Sequence, residues 1–412
     1  MKETEFDQML GKYADVVVRI GLNLRKGQRL LIRAILDDAP LVRKVTESAY
    51  QAGAIFVDVA YTDERLTRIR LEHADPDSLT EVPNWILARF EEYYERMDAE
   101  LAIASTDPEL LSGIAPNLIA KYRKAVSQKM EPLRKYENST NWCVVATASP
   151  AWAKKVFPEL SVQEAQEKLW GEIFASCRID TADPIQAWSK QVNDLKKYQS
   201  YLNDQRFAAL HYKAPGTDLT LGLPEKHLWQ GAEAEFKNGI TGIPNLPTEE
   251  VFTTPHKEKV DGTVTATRPL NYLCALIEDF SLTFENGRVV RMGAKKGEET
   301  LRKMIETDED AGRLGEAALV PNSSPISQRG ILFYNTLFDE NASCHLALGN
   351  SYRETIIGGE DMSDEEFEAQ GGNKSLVHTD FMIGSDKLDI DGLKADGSRT
   401  SIMRSGEWAV EL

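Results

Sequence analysis

Apolar residues recur at helical spacing through Phe6, Met9, Leu10, Tyr13, Val17 and Ile20, and the pattern stops at Lys26-Gly27. This spacing predicts an opening helix. The short apolar run Leu30-Leu31-Ile32 reads as a strand, a helical stretch from about Ala39 stops at Gly53, and Ile55-Phe56-Val57-Asp58-Val59-Ala60 reads as the next strand. Strand, helix and strand in succession form a βαβ unit and imply a parallel sheet. Leu101-Ala102-Ile103-Ala104 and Trp142-Cys143-Val144-Val145-Ala146 predict further strands, with a helix around Leu118 to Tyr136 between them. From about Ala151 to Phe207 the pattern is helical almost throughout. Leu169, Ile173, Phe174 and Cys177 form one stripe, and Trp188, Val192, Leu195, Tyr198 and Leu202 another. Both read as helix-packing faces.

The texture changes near Leu210. Period-2 alternation takes over, with hairpin signals at Asp261-Gly262, Asn286-Gly287, Asp396-Gly397 and Ser405-Gly406. An amphipathic helix over about Glu298 to Gly315 interrupts the strands, and a short acidic helix is expected near Ser363 to Glu368. The expected architecture is an α/β chain. A Rossmann-like N-terminal α/β domain spans residues 1–207, and a mainly antiparallel β (α+β) domain spans residues 208–412.

Composition narrows the partners. At 412 residues the chain exceeds the size at which one core keeps growing, which agrees with two domains. Its 42% hydrophobic and 27% charged residues are ordinary globular usage. The 48 basic and 65 acidic residues leave a net charge of −17. That balance repels phosphate backbones and anionic lipid, so neither nucleic acid nor a membrane surface is expected as a partner. It suits a cytoplasmic protein, or one that handles cationic ligands or metal ions. No apolar stretch approaches the roughly 20 residues of a membrane helix. The acidic start Met-Lys-Glu-Thr-Glu-Phe-Asp gives no expectation of a secretory signal. Cys143, Cys177, Cys274 and Cys344 are far apart and form no CxxC pair, which reads as reduced thiols in the cytoplasm.

Motifs for dinucleotide binding, P-loop phosphoryl transfer, the serine-hydrolase elbow and the zincin helix are all missing: there is no GxGxxG, GxxxxGK[ST], GxSxG or HExxH. The histidines are more informative. Of six, His345 and His378 lie in apolar, strand-like contexts near the C-terminus. His378 and Asp380 are two apart on a predicted strand, so both side chains leave from the same face. A histidine and a carboxylate converging in this way are half of a site for Zn, Co or Mn. They read equally well as a structural hydrogen-bonded pair, and a lone histidine such as His345 is more often a core residue. Glu316, between a helical segment and an apolar run, reads as an exposed helix-end carboxylate or as a ligand. Glu249 and Glu250, ahead of Val251-Phe252, are open in the same way, and Tyr352 reads as a packed aromatic.

At these residues the sequence becomes recognisable. The runs Asn245-Leu246-Pro247-Thr248-Glu249-Glu250-Val251-Phe252-Thr253, Leu337 to Gly349, and His378-Thr379-Asp380-Phe381-Met382-Ile383-Gly384 resemble the thermophilic aminopeptidase family of metallopeptidases, the group of aminopeptidases T, S and II. Further similar stretches are Ala214-Pro215-Gly216-Thr217-Asp218-Leu219, Pro269-Leu270-Asn271-Tyr272, Phe280 to Phe284, Pro325-Ile326-Ser327 and Ser149-Pro150-Ala151-Trp152-Ala153, so the likeness covers nearly the whole chain. The stretch Gln230-Gly231-Ala232-Glu233-Ala234-Glu235 is less familiar.

The resemblance implies a metal-dependent aminopeptidase and a homodimer. It implies metal ligands at Glu250, Glu316, His345, Tyr352, His378 and Asp380, all of the residue types the family requires. Such a donor set is sufficient for two divalent ions per subunit, whether Zn, Co, Mn or Mg. A pair of ions can lower the pKa of a shared water towards about 7 and polarise a scissile carbonyl. A carboxylate beside them serves as general base. Glu316 is the favoured residue, as bridge or base, with Glu249 as its substitute. The expected substrates are peptides with a free N-terminus. The competing readings are a metal-dependent amidase or phosphoesterase acting on a small metabolite, and a non-enzymatic protein in which these residues are structural.

Overall fold

The computed structural model describes residues 3–136, 138–272 and 275–412; Met1, Lys2 and Cys274 lie outside them. Two compact units form. One comprises Met1–Ser189 with Glu233–Pro247, the other Lys190–Ala232 with Thr248–Leu412.

In the first unit a four-stranded parallel sheet has the order Phe56–Thr62, Arg29–Ile35, Ala99–Ile103, Trp142–Val145. The second strand in sequence lies on one side of the first and the later strands on the other, which is a doubly wound, Rossmann-like arrangement. Leu30, Leu31 and Ile32 are fully buried, as a central strand covered on both faces requires. The crossover helices include Ala39–Ala52 and Pro116–Met130, the latter continued by a 3₁₀ turn, Glu131–Tyr136. The opening helix runs over Glu3–Val16 and closes with one π turn, Val17–Gly21, short of the expected Lys26-Gly27. Asp38 ties the carboxyl ends of three strands together. Its carboxylate accepts the backbone N–H of Ile35 and the hydroxyls of Ser105 and Thr147.

The expected helical region resolves into Pro150–Val156, Val162–Ser176 and Pro184–Gln205. Ser149 and Ser161 cap the first two through their side-chain oxygens. Leu169, Ile173, Phe174 and Cys177 are buried as one stripe, as are Trp188, Val192, Leu195 and Leu202. Tyr198 is half-buried instead and stacks on Trp408 with ring centroids 4.1 Å apart.

The second unit is mainly antiparallel. A nine-stranded sheet follows the order Leu270–Tyr272, Ala275–Glu285, Val260–Thr265, Thr217–Gly222, Ala209–Ala214, Asp389–Leu393, Arg399–Arg404, Glu407–Trp408, and Arg288–Lys296 pairs with Ala275–Glu285. Asn286-Gly287, Asp396-Gly397 and Ser405-Gly406 are turns between consecutive strands, as expected. Asp261-Gly262 is not a turn: it lies inside the Val260–Thr265 strand. Gly262 adopts φ +118° there, and a Cβ would lie 2.2 Å from the Asp218 carbonyl oxygen. The glycine marks close strand approach rather than chain reversal.

The helix expected over Glu298 to Gly315 covers only Glu298–Ile305, after which Leu314–Leu319 is a strand with every residue buried. The polar run at 306–310 interrupts the helical stripe, and pairing on both edges buries the following residues whatever their polarity. The acidic helix is Asp364–Ala369, capped by Ser363. Among the described residues no helix is long and apolar enough to cross a membrane.

Cys143, Cys177 and Cys344 are buried. Burial pushes the Cys143 thiol well up and the Cys344 thiol to about 12. Because the thiolate is the nucleophile, iodoacetamide at pH 8 is predicted to leave all three unlabelled in the folded chain and to label them in denaturant. Peptide mapping by mass spectrometry checks this, and native labelling would contradict their burial.

Candidate metal centre

A second sheet of this unit, four-stranded and antiparallel, runs in the order His378–Met382, His345–Gly349, Leu314–Leu319, Val251–Thr253. Glu316 pairs with Ala347 and Ala347 with Asp380; Gly349 pairs with His378 and Ala318 with His345. Opposed residues of antiparallel strands, and residues two apart along one strand, project from the same face. Glu316, His345, His378 and Asp380 therefore share one face, with only the methyl groups of Ala318 and Ala347 between them. Glu250 reaches them from the residue before Val251. Glu316 is aimed by a bulge, because the register shifts between Leu314 and Glu316 and leaves Gly315 as the extra residue. A Cβ at 315 would lie 2.3 Å from the carbonyl oxygen of Asn350 and 2.4 Å from that of Gly349, so the bulge requires glycine.

Two groups of donors result. Glu250, Glu316 and His345 each offer an atom within 4.8 Å of the others, and so do Glu316, His378 and Asp380. Glu316 belongs to both. His345 Nε2 lies 3.2 Å from Glu250 Oε2, and His378 Nε2 lies 3.1 Å from Glu316 Oε2 and 3.4 Å from Asp380 Oδ1. Each imidazole faces a backbone carbonyl with its other nitrogen. His345 Nδ1 is 3.1 Å from Ser343 O, and His378 Nδ1 is 2.7 Å from Asn350 O. A carbonyl only accepts, so Nδ1 carries the hydrogen and the Nε2 lone pair is available for a metal. Glu250 Oε2, His378 Nε2 and Asp380 Oδ1 are buried without a hydrogen-bond partner among the described residues. Buried polar atoms in that condition are costly, and divalent ions held in the two donor groups would satisfy them. Carboxylate oxygens with imidazole nitrogens are also the donor types that Zn, Co and Mn take. The residues fit a metal.

The electrostatics reflect crowded carboxylates. Burial raises Glu316, with Asp380 and Glu250 adding to it and His378 opposing. Burial depresses both histidines, but the acids outweigh it: Glu250 first among them for His345, which rises to about 10, and Asp380 first for His378, which rises well above its ordinary value. Burial raises Asp380, but His378 brings it below the usual range.

Tyr352 joins this group. Its ring is T-shaped on Phe252 at 5.9 Å and lies 4.7 Å from the ring of His378. Burial and the carboxylates of Glu316, Asp380, Glu340 and Glu250 push its phenol well up. Glu249 is placed differently. It belongs to neither donor group; its Oε2 accepts from Gln191 Nε2 at 2.9 Å and its backbone N–H donates to Asn341 Oδ1 at 2.7 Å. Glu316 is a buried strand residue rather than an exposed helix end.

One carboxyl escaped the sequence reading. Glu340, in the 3₁₀ turn Glu340–Ala342, is pushed well up by burial and then by Glu250 and Asp380, so it borders the same face. The available signal was an acidic pair, Asp339-Glu340, directly after the apolar Leu337-Phe338. Its partner Asp339 is spent on structure: it accepts the backbone N–H groups of Phe333 and Asn335, and burial raises it to about 7.

The β unit's cluster of histidines and carboxylates, together with a Rossmann-like unit in the same chain, fits a metal-dependent protein. Residues 6–408 match the family described as Thermophilic metalloprotease (M29), and the chain belongs to that family. It is a metallopeptidase, and so a hydrolase. The chain is 46% identical to Aminopeptidase AmpS of Bacillus subtilis (strain 168) over 406 residues, which are 98% of this chain and 99% of that protein. It is 45% identical to Aminopeptidase 2 of Geobacillus stearothermophilus over 409 residues, 99% of each chain. The solved structure of wild-type AmpT from Thermus thermophilus superposes with a TM-score of 0.93 at 44% identity, covering 98% of this chain and 100% of that one.

A raised imidazole contributes stability that is complete below its unfolded value and is lost as pH climbs through its folded value. For His345 these values are 6.5 and about 10. The chelator-treated chain is therefore predicted to lose thermal stability between pH 6.5 and 10, less steeply in His345→Gln. Excess divalent ion should flatten the wild-type slope, because ligation needs the neutral ring. Equal slopes in wild type and variant would contradict this.

Proposed function

We propose that the chain is a metal-dependent aminopeptidase that removes N-terminal residues from peptides, with apolar residues such as leucine preferred, at a dinuclear centre. The observation that carries the dinuclear reading is Glu316, the one carboxylate common to both donor groups. Glu250 and His345 would hold one ion, His378 and Asp380 the other, and Glu316 would bridge, with Tyr352 as a further ligand. When bound, the two ions supply Lewis-acid polarisation of the scissile carbonyl and a water acidic enough to attack at neutral pH.

The side chains do the rest. The Nδ1–H groups of both histidines, fixed on Ser343 O and Asn350 O, keep each ring presenting Nε2. Bridge and general base are alternative roles for Glu316; burial, which raises its carboxyl, favours uptake of a proton in the second role. Glu249, the second candidate, is engaged with Gln191 and serves better as an anchor for the segment that delivers Glu250. The carboxyl oxygens of Glu250, Glu316, Glu340 and Asp380, gathered around two imidazoles, suit divalent ions and the cationic amino terminus of a peptide. The aminopeptidase names of relatives that match this chain end to end support the exopeptidase reading.

We further propose a homodimer, on the strength of the family resemblance, and a cytoplasmic location, on the acidic composition and buried thiols. Zn, Co, Mn and Mg all remain compatible with the donors.

A leucine anilide and its N-acetylated twin test the activity. The free amine should be cleaved, cleavage should stop after chelation, and Co or Zn should restore it, while the acetylated twin stays inert. Cleavage that survives removal of metal would overturn the dinuclear reading. Silence on both substrates with metal present would favour the amidase or phosphoesterase alternative.

Glu316→Gln is predicted to lower kcat by about 10²–10⁴-fold while the chain stays folded by circular dichroism. A folded, fully active variant would remove Glu316 from proton transfer.

A further inference from the structure

Asn341 is fully buried next to Glu340, four residues before His345. Its side-chain amide uses both ends. Oδ1 accepts the backbone N–H of Glu249 at 2.7 Å, while Nδ2 donates to Leu337 O at 3.1 Å and to Glu340 Oε1 at 3.3 Å. Its own carbonyl is held by the Ser324 hydroxyl at 2.9 Å. One amide therefore joins the segment that delivers Glu250, the end of the Thr336–Asp339 helix, and the carboxyl of Glu340.

We infer that Asn341 is a positioning residue of the metal centre: by fixing the Glu250 segment against Glu340 it sets divalent-ion affinity and the geometry of the donors. This rests on the proposed metal centre. The chemistry selects an amide. Asn341 Nδ2 donates to Glu340 Oε1 and, being neutral, adds no charge beside Glu250 and Asp380. The Glu249 N–H needs an acceptor at the same time. Aspartate keeps the acceptor, loses the donor, and sets another carboxylate against Glu340. Alanine loses both. Groups that orient ligands from behind in this way typically change metal affinity by 10–100-fold when removed.

The test uses the full-length chain, freed of metal by chelation and titrated with Co²⁺ alone while its visible absorption is followed. Wild type, Asn341→Asp and Asn341→Ala are compared, with the unfolding temperature of each metal-free form measured in parallel. Both substitutions are expected to weaken Co²⁺ binding about 10–100-fold and to shift the cobalt bands. They should also lower kcat on the leucine anilide with KM little changed. A purely structural role would lower the unfolding temperature and leave cobalt affinity and bands as in wild type; that result overturns the inference. If Asn341→Ala fails to fold, the nearly isosteric Asn341→Asp carries the test, and unchanged or tighter cobalt binding in it is equally fatal. A wild-type chain that binds no Co²⁺ sinks the metal-centre reading and this inference with it. Normal binding by wild type and variants alike sinks the inference only.

Discussion

Four carboxyls, from Glu250, Glu316, Glu340 and Asp380, border one buried face with two imidazoles to offset them. Uncompensated buried charge is expensive, so this face holds together only with cations on it, whether protons on the imidazoles and carboxyls or divalent ions between them. Much of the surrounding architecture serves that constraint. The glycine bulge at 315 turns Glu316 inward, the small side chains of Ala318 and Ala347 leave the middle of the face open, and two backbone carbonyls fix the histidine rings. A loose arrangement would let the carboxylates relax away from one another; the paired strands prevent it.

The Rossmann-like unit shows the converse. Its strand order creates a crevice at the carboxyl ends of the strands, where such folds commonly bind ligands. Here Asp38 fills that position and is itself satisfied by Ile35, Ser105 and Thr147. The carboxylate bonds strand ends to one another instead of awaiting a ligand. This agrees with the absence of a glycine fingerprint after the Arg29–Ile35 strand, and it shows why the fold of that unit says little about its role. The donor chemistry sits in the β unit, where antiparallel pairing can set residues from three sequence-distant strands in one row.

That row also explains what the sequence could reveal. His378 and Asp380 were legible because period 2 alone puts both on one face. The helix stripes through Leu169 and Trp188 were legible because burial follows 3.6-residue spacing. Glu316 was not, because its burial depends on strand partners at Val251–Thr253 and His345–Gly349 that local pattern cannot identify. Asp261-Gly262 misled for the same reason: close approach to Asp218 and a tight turn both call for glycine, and only the fold tells them apart. Glu340 was hidden by its neighbour Asp339, since two adjacent acids with opposite duties look alike in one dimension. The family resemblance supplied the ligand set that the residues alone left open.

His345 Nε2 faces Glu250, and His378 Nε2 faces both Glu316 and Asp380. The Nδ1–H bonds to Ser343 and Asn350 leave Nε2 uninvolved, so they fix each ring whatever cation Nε2 faces. The bulge and the backbone carbonyls therefore hold one donor geometry while the cation changes. A face built this way keeps its side chains in one geometry, which is what the proposed metal centre requires if it is to present the same groups to each substrate.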